Sequence, residues 1–275
     1  MCCKNEVTIV IPSYNHEQFV EEAISSAAKL EGCVKDLVLI DDCSKDNTYQ
    51  KAEKAIEKFS SHFRNAIIMS NATNLGISRT LNFALDYVNT PYLMVLASDD
   101  MVYPNKFVSL KKCLESFADA GMAFGDAHII DSNGKVIPDN TFITRLYRYR
   151  PELEKLGDGC VSFCYLLAGN FVPASSVLLR TEVVKKLGGW DPKIKMEDWY
   201  MWLKIASNGY RIVFTKEVVS CYRMHSANTS FTRSRQMALD TIRILNRFSR
   251  PALSNGCPTV LLKQYIFAFK RLLTG

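Results

Sequence analysis

The sequence has 275 residues, 48% hydrophobic and 23% charged, a balance that excludes a disordered or fibrous chain and suits one large α/β domain or two small ones. Its longest uncharged stretch, Gly159–Leu179, contains Asn170, Pro173 and Ser162, Ser175 and Ser176, which makes it a buried loop and strand and a poor membrane span. The net charge of +6 is lopsided: from His225 onward eight Lys/Arg face only Asp240, so the tail carries +7 and the preceding 224 residues about −1. The body has no basic stripe interleaved with aromatics, which argues against nucleic acid as a partner. Nine scattered cysteines lack the spacing of a zinc site. Cys160 and Cys164 find no second pair, and free thiols in a reducing cytosol are expected. Met1–Glu6 leads directly into a strand-like segment and does not read as a signal peptide. Cys2–Cys3 offers acylation sites with nothing else in support.

In chain order, Val7–Ile11 is a short apolar, β-branched run closed by Pro12, a buried strand. Glu17–Leu30 has helical spacing of Phe19, Val20, Ala23, Ile24 and Ala27. Leu37–Ile40 is a second buried strand closed by Asp41–Asp42. Asp46–Phe59 is a helix with Asp46 or Asn47 as its N-cap. Ala66–Met69 is a third strand, Ser78–Val88 a helix and Tyr92–Leu96 a fourth strand, with Asp99–Asp100 just beyond it. Strands alternating with helices predict an α/β fold with a mostly parallel, doubly wound sheet and helices on both faces. Such sheets bind ligands beyond the C-terminal ends of their strands. Strands one, two and four deliver Ser13-Tyr14-Asn15, Asp41–Asp42 and Asp99–Asp100 to that edge.

Beyond Phe117, His128–Ile130 and Lys135–Ile137 flank an Asn-Gly turn and predict a hairpin. Ser175–Leu179 is a strand, Thr181–Leu187 a helix stopped by Gly188–Gly189, and Glu197–Asn208 a helix with Asp198 in its first turn. Tyr210–Phe214 and Val218–Tyr222 are two further strands. In Leu261–Leu273, helical projection puts Leu261, Leu262, Tyr265, Ile266, Phe269, Leu272 and Leu273 on one face, with Lys263, Gln264, Lys270 and Arg271 opposite. This basic amphipathic helix either lies on an anionic membrane or docks on the domain with its charged face in water.

Adjacent carboxylates repel unless a cation sits between them. A hard divalent ion binds through one or two carboxylates and substrate phosphates, whereas a single Asp-Asp pair is as readily a turn or a helix cap. Glu197–Asp198 is by itself a charged first turn favoured by the helix dipole. Trp199 and Trp202 beside it are either a sugar platform or core.

Ile9–Asn15, Ile40–Ser44 with Asp46 and Thr48, Asn74–Arg79 with Asn82, and Ala97–Asp100 fall in one order and spacing. So do Gly188–Asp191, Glu197–Asp198, and Tyr222–His225 with Asn228. Together they closely resemble the family 2 glycosyltransferases over about residues 5–230. The resemblance implies a GT-A fold over 1–230, with a nucleotide-binding half at about 1–120 and an acceptor half at 121–230. Residues 231–275 would form the helical tail.

By the same resemblance, the enzyme is an inverting, metal-dependent hexosyltransferase. It would move a sugar from a nucleotide diphosphate donor, a UDP-sugar foremost, to a saccharide or lipid-linked saccharide in surface polysaccharide synthesis. Tyr14 would stack on the base with Pro12 shaping the pocket and Asn15 beside it, Asp42 would accept from base or ribose, and Arg79 would approach the base or diphosphate. Asp99 would hold ribose or donor sugar. Asp100 would ligate Mg²⁺ or Mn²⁺ with His225, Asp198 would be the general base, and Glu197, Trp199 and Arg223 would serve the acceptor or the departing diphosphate. Ala97 stands where the family often has a further Asp. The implied location is cytoplasmic, with peripheral contact on the inner face of the membrane. A nucleotidyltransferase would want a Gly-rich loop after strand one, where Ser13–His16 has no glycine. A catalytically silent sugar-binding module would have no need of Glu197–Asp198, Asp99–Asp100 and His225 together.

Overall fold

Side chains alternate across a strand, so Val7, Ile9 and Ile11 go to one face of β1 (Glu6–Ser13) and Val10 to the other. Both sets are buried, because helices cover both faces of the sheet. The computed structural model describes residues 5–141, 159–225 and 235–274; Cys2, Cys3 and Asn228 lie outside the described residues. On the first face lie α1 (Val20–Ala28), α2 (Thr48–Lys58) and α4 (Lys106–Glu115). On the second lie α3 (Ile77–Leu85), α6 (Thr181–Lys186), α7 (Glu197–Ser207) and α8 (Arg235–Ser254). Each aliphatic side chain fully withdrawn from water there contributes roughly 1.5–3 kcal/mol.

β1 pairs in parallel with β2 (Val34–Asp41) and β4 (Tyr92–Val95), and β2 with β3 (Asn65–Ser70). This half has the expected parallel winding, and the second half makes the sheet mixed. β9 (Val177–Arg180) runs against both β4 and β6 (Ala120–Ile130). β10 (Arg211–Arg223) returns parallel to β6, and β5 (Met101–Val102) closes the edge antiparallel to it. The order is β3-β2-β1-β4-β9-β6-β10-β5, with β7 (Val136–Thr141) on β6 and β8 (Cys160–Val161) on β10. The expected hairpin is β6–β7. Its turn is fixed by Asp131, whose Oδ1 accepts from Asn133 N and Lys135 N.

Helix ends fall inside the apolar spacing: α1 opens at Val20 and α3 closes at Leu85. Apolar residues continue to mark the buried side after the last hydrogen-bonded turn. The strands expected at Tyr210–Phe214 and Val218–Tyr222 are one continuous strand, β10, with a bulge between Phe214 and Val218. Gly125 on β6 permits it, because the Glu217 carbonyl oxygen lies 2.6 Å from where a Cβ on Gly125 would stand.

After β9, the turn Gly188–Asp191 is locked onto α3 ahead of α7. Asn82 donates to the Trp190 carbonyl and accepts from the Trp190 amide, both at 2.8 Å. Gly189 has φ 65°, and a Cβ there would meet Asn82 Oδ1 at 2.3 Å. Gly189→Ala therefore combines left-handed strain with loss of the clasp. We expect a cost of about 1–3 kcal/mol, read as a lower urea midpoint at unchanged slope; an unchanged midpoint contradicts the clasp.

Candidate active site

The site begins where β1 and β2 end, and the backbone there is strained. Asn15 (φ 54°) and Cys43 (φ 62°) both adopt the left-handed conformation. Asn tolerates this region and Cys does so rarely, so neighbouring bonds must impose it. Asn15 N donates to Ser44 Oγ, and Asn15 Oδ1 accepts from Lys45 N. Asp41 is consumed in the same clasp, accepting from Ser13 Oγ, Ser44 N and Ser44 Oγ. Held this way, Tyr14 stands 42% exposed at the edge while Pro12 is buried beneath it. Asp42 is buried and accepts from Asn71 Nδ2, Leu75 N and Gly76 N, each at 2.8 Å. A carboxylate has about four acceptor positions, so one remains on Oδ2. Arg79 is exposed near the start of α3.

Asp99 lies past β4 and meets two imidazoles. His225 Nε2 is 2.9 Å from Asp99 Oδ2, and His16 Nε2 is 3.9 Å from the same oxygen. One donor atom from each of the three residues lies within 4.8 Å of the others. Burial works to raise the Asp99 carboxyl, but the His225 hydrogen bond and the His16 charge outweigh it and hold it below the usual range. Burial pushes His16 down, toward the neutral form, and its Nδ1 is held by Ser98 Oγ at 2.8 Å. Two imidazoles with a carboxylate, one ring oriented from behind, form a donor set that fits a divalent ion, Mn²⁺ more readily than Mg²⁺. A cleft of about 380 Å³ opens beside them, lined by Asn15, His16, Phe19, Asp46, Ser132 and His225.

Asp100 faces the other way. Its Oδ2 accepts from Ser175 Oγ at 2.6 Å and its Oδ1 from Arg223 N at 2.9 Å. Burial, then the charge of Asp99, pushes its carboxyl up to about 8. Lys106, also fully buried, donates to the Ser175 carbonyl at 2.7 Å, and burial pushes it down to about 7. Asp99 rather than Asp100 thus meets His225, the residue expected beside Asp100. Arg223 likewise differs from expectation. It is 0% exposed and its guanidinium is committed to the Asp99, Asp131 and Ser132 carbonyls and the Glu22 carboxylate. The same group lies 4.9 Å over the Phe19 ring, whose centroid is 4.9 Å from that of His225. So placed, Arg223 ties the end of β10 to the Asp99 backbone, the β6–β7 turn and Glu22.

Glu197 and Asp198 open α7, partly accessible. Asp198 Oδ2 accepts from Asn170 Nδ2 at 2.7 Å. Burial raises the carboxyls of both, and repulsion from Asp198 adds to the rise at Glu197. Trp199 and Trp202 are core rather than platform, 3% and 2% exposed, and Trp199 Nε1 donates to the Leu166 carbonyl. Asn170, which holds Asp198, and Ser175, which holds Asp100, stand five residues apart on one segment. Sequence reasoning passed over His16, Asn170, Ser175 and Lys106. Only His16 had a signal, standing next in the loop after Tyr14-Asn15.

The model of glycosyl transferase family 2 matches residues 8–171, and that of glycosyl transferase family group 2 matches 94–273. The chain is 24% identical over 234 residues to an uncharacterised glycosyltransferase of Methanocaldococcus jannaschii, covering 85% of this chain and 76% of that one. It is 25% identical over 234 residues to the Escherichia coli UDP-Glc:alpha-D-GlcNAc-diphosphoundecaprenol beta-1,3-glucosyltransferase WfgD, covering 84% and 82%. Among solved structures, Staphylococcus aureus TarS 1–349 in complex with UDP-GlcNAc superposes with TM-score 0.64 at 16% identity, covering 96% of this chain and 79% of that one. The mannosyltransferase PcManGT of Pyrobaculum calidifontis with GDP-Man and Mn²⁺ gives 0.68 at 16%, covering 98% and 74%. At these identities the structural likeness carries the fold, which is GT-A.

Arg223→Met removes the guanidinium and strands its buried acceptors. We expect a loss of roughly 3 kcal/mol or more in unfolding free energy. Unchanged stability with lost turnover would instead return Arg223 to the diphosphate.

Proposed function

This chain belongs to glycosyltransferase family 2, and we propose that it is an inverting enzyme taking a sugar from a nucleotide diphosphate donor to a hydroxyl of a saccharide or lipid-linked saccharide. The observation that carries the reading is the meeting of Asp99, His16 and His225 at the strand ends beside exposed Tyr14. An aromatic face at that edge suits a nucleotide base, and the remaining Asp42 lone pair suits a base or ribose donor. Pro12 and Asn15 shape the loop, and Arg79 is free to swing to the base or diphosphate side.

Asp99, His225 and His16 would hold a divalent ion, and such an ion supplies charge neutralisation for a diphosphate leaving group. Asp100 lies behind them as a buried, positioning carboxyl. WfgD is named for UDP-Glc and a diphosphoundecaprenol-linked acceptor, and TarS was crystallised with UDP-GlcNAc. Both favour a UDP-sugar, although PcManGT holds GDP-Man. A role in surface polysaccharide synthesis on the cytoplasmic side of a membrane follows from that acceptor chemistry.

In a single displacement the acceptor oxygen bonds to the anomeric carbon as the bond from that carbon to the diphosphate oxygen breaks. The acceptor proton passes to Asp198, and the bonding electrons leave with the diphosphate. Asn170 fixes the Asp198 carboxylate, and Glu197 orients the acceptor. A raised carboxyl is a stronger base once ionised. Only the unprotonated form accepts the proton, so activity falls as pH drops through the raised pKa.

Asp198→Asn keeps the shape and removes the basic oxygen. With Mn²⁺ and a UDP-sugar, transfer should fall on the order of 10²–10⁴-fold, with UDP affinity unchanged. The wild-type acid limb should lie above the ordinary carboxylate range. Wild-type turnover in Asp198→Asn removes the base assignment.

A further inference from the structure

The last helix, α9 (Pro258–Thr274), has a wider apolar face than its docking uses. Leu261 and Ala268 are buried against the domain, and Tyr265 donates to Asn246 of α8. Gln264 donates to the Ala168 carbonyl just after α5 (Phe163–Leu167). Leu262, Ile266, Phe269 and Leu273 remain outside, exposed by 60%, 47%, 52% and 87%. Their spacing of four, three and four residues puts them on one stripe of the helix. Lys263 and Lys270 each follow a stripe residue by one position, which turns them about 100° to one flank. Both are exposed. Arg271, roughly opposite the stripe, lies 5.4 Å over the exposed Phe267 ring, and residues 258–275 contain no acid.

We propose that α9 lies in the plane of an anionic lipid surface, with Leu262, Ile266, Phe269 and Leu273 inserted among the acyl chains and Lys263 and Lys270 at the headgroups. An apolar stripe flanked by cations, without a single acid, is complementary to that surface. Long cationic side chains reach the headgroup level while their stems cover apolar surface. Among the described residues no helix is long and apolar enough to cross a membrane, so the helix rests on the surface. Its position matters to the site. Ala168, held by Gln264, is two residues from Asn170, which holds Asp198. Gln264 lies on the side of α9 opposite the stripe, so the helix itself links the lipid surface to the segment that carries Asn170 and, through it, Asp198. This last step rests on the proposed function, and binding to lipid does not.

The test is flotation of the full chain with vesicles of phosphatidylcholine containing about 30% phosphatidylglycerol, against phosphatidylcholine alone. Wild type should float with the anionic vesicles and release as salt rises. The variant L262Q/I266Q/F269Q/L273Q should lose at least tenfold in partitioning, with its melting temperature and UDP binding kept. K263Q/K270Q should lose about thirtyfold on anionic vesicles alone, about 1 kcal/mol for each charge removed, and it decides the matter if the first variant misfolds. Wild type that ignores anionic vesicles, or variants that float as well as wild type, overturns the proposal. A dimer seen by light scattering that the apolar variant dissolves, without flotation, assigns the stripe to a second copy. Failure of UDP binding in wild type would count against the proposed function and leave the flotation result standing.

Discussion

A guanidinium withdrawn completely from water is costly unless every donor is matched, and Arg223 is the group around which this molecule is arranged. Its partners come from four places: the backbone of Asp99 after β4, the β6–β7 turn, the Glu22 carboxylate of α1 and the face of Phe19. Its own amide donates to Asp100. One side chain at the end of β10 therefore fixes the ends of β4 and β10, the β6–β7 turn and α1 relative to one another. His225, two residues later, is delivered to Asp99 as a consequence. Without that anchor the two imidazoles and the carboxylate have no reason to meet.

The same anchor separates two adjacent carboxyls into different chemistries. Asp99, against His225 and His16, is held in its ionised form. Asp100, one residue on, is enclosed by Ser175, the Arg223 amide and Asp99 and is raised to about 8. Environments that drive neighbouring acids apart are how a fold assigns roles to identical residues. Lys106 reaches the same Ser175 from below, so the underside of the site is a closed polar network. The strained Asn15 and Cys43 loops form its outer rim. Such outliers persist where surrounding bonds over-determine the backbone, and they cluster at functional edges.

Much of this was legible in the sequence. The first four strands, their helices and the polar residues at their ends follow from short β-branched runs and helical spacing, because local pattern fixes those elements. The family follows from motif order. Three things were not legible, each for a physical reason. The bulge that joins two expected strands into β10 depends on a glycine more than ninety residues away, Gly125. Which Asp of the pair faces the imidazoles depends on the local chain direction past β4, which adjacency in sequence does not encode. Arg223 resembled a phosphate ligand because burial of a charge depends on partners from elements far apart in the chain. The tail was read as either membrane-bound or docked, and its apolar face is in fact divided, one part packed on the domain and one part exposed.

We propose that Asp99, with His225, and not Asp100, is the carboxylate that would hold the cation. Titration of Mn²⁺ followed by electron paramagnetic resonance, on wild type, Asp99→Asn and Asp100→Asn, tests it directly. Asp99→Asn should weaken Mn²⁺ on the order of a hundredfold or more, and Asp100→Asn should bind within a few-fold of wild type. Loss of Mn²⁺ in Asp100→Asn with retention in Asp99→Asn would contradict the account.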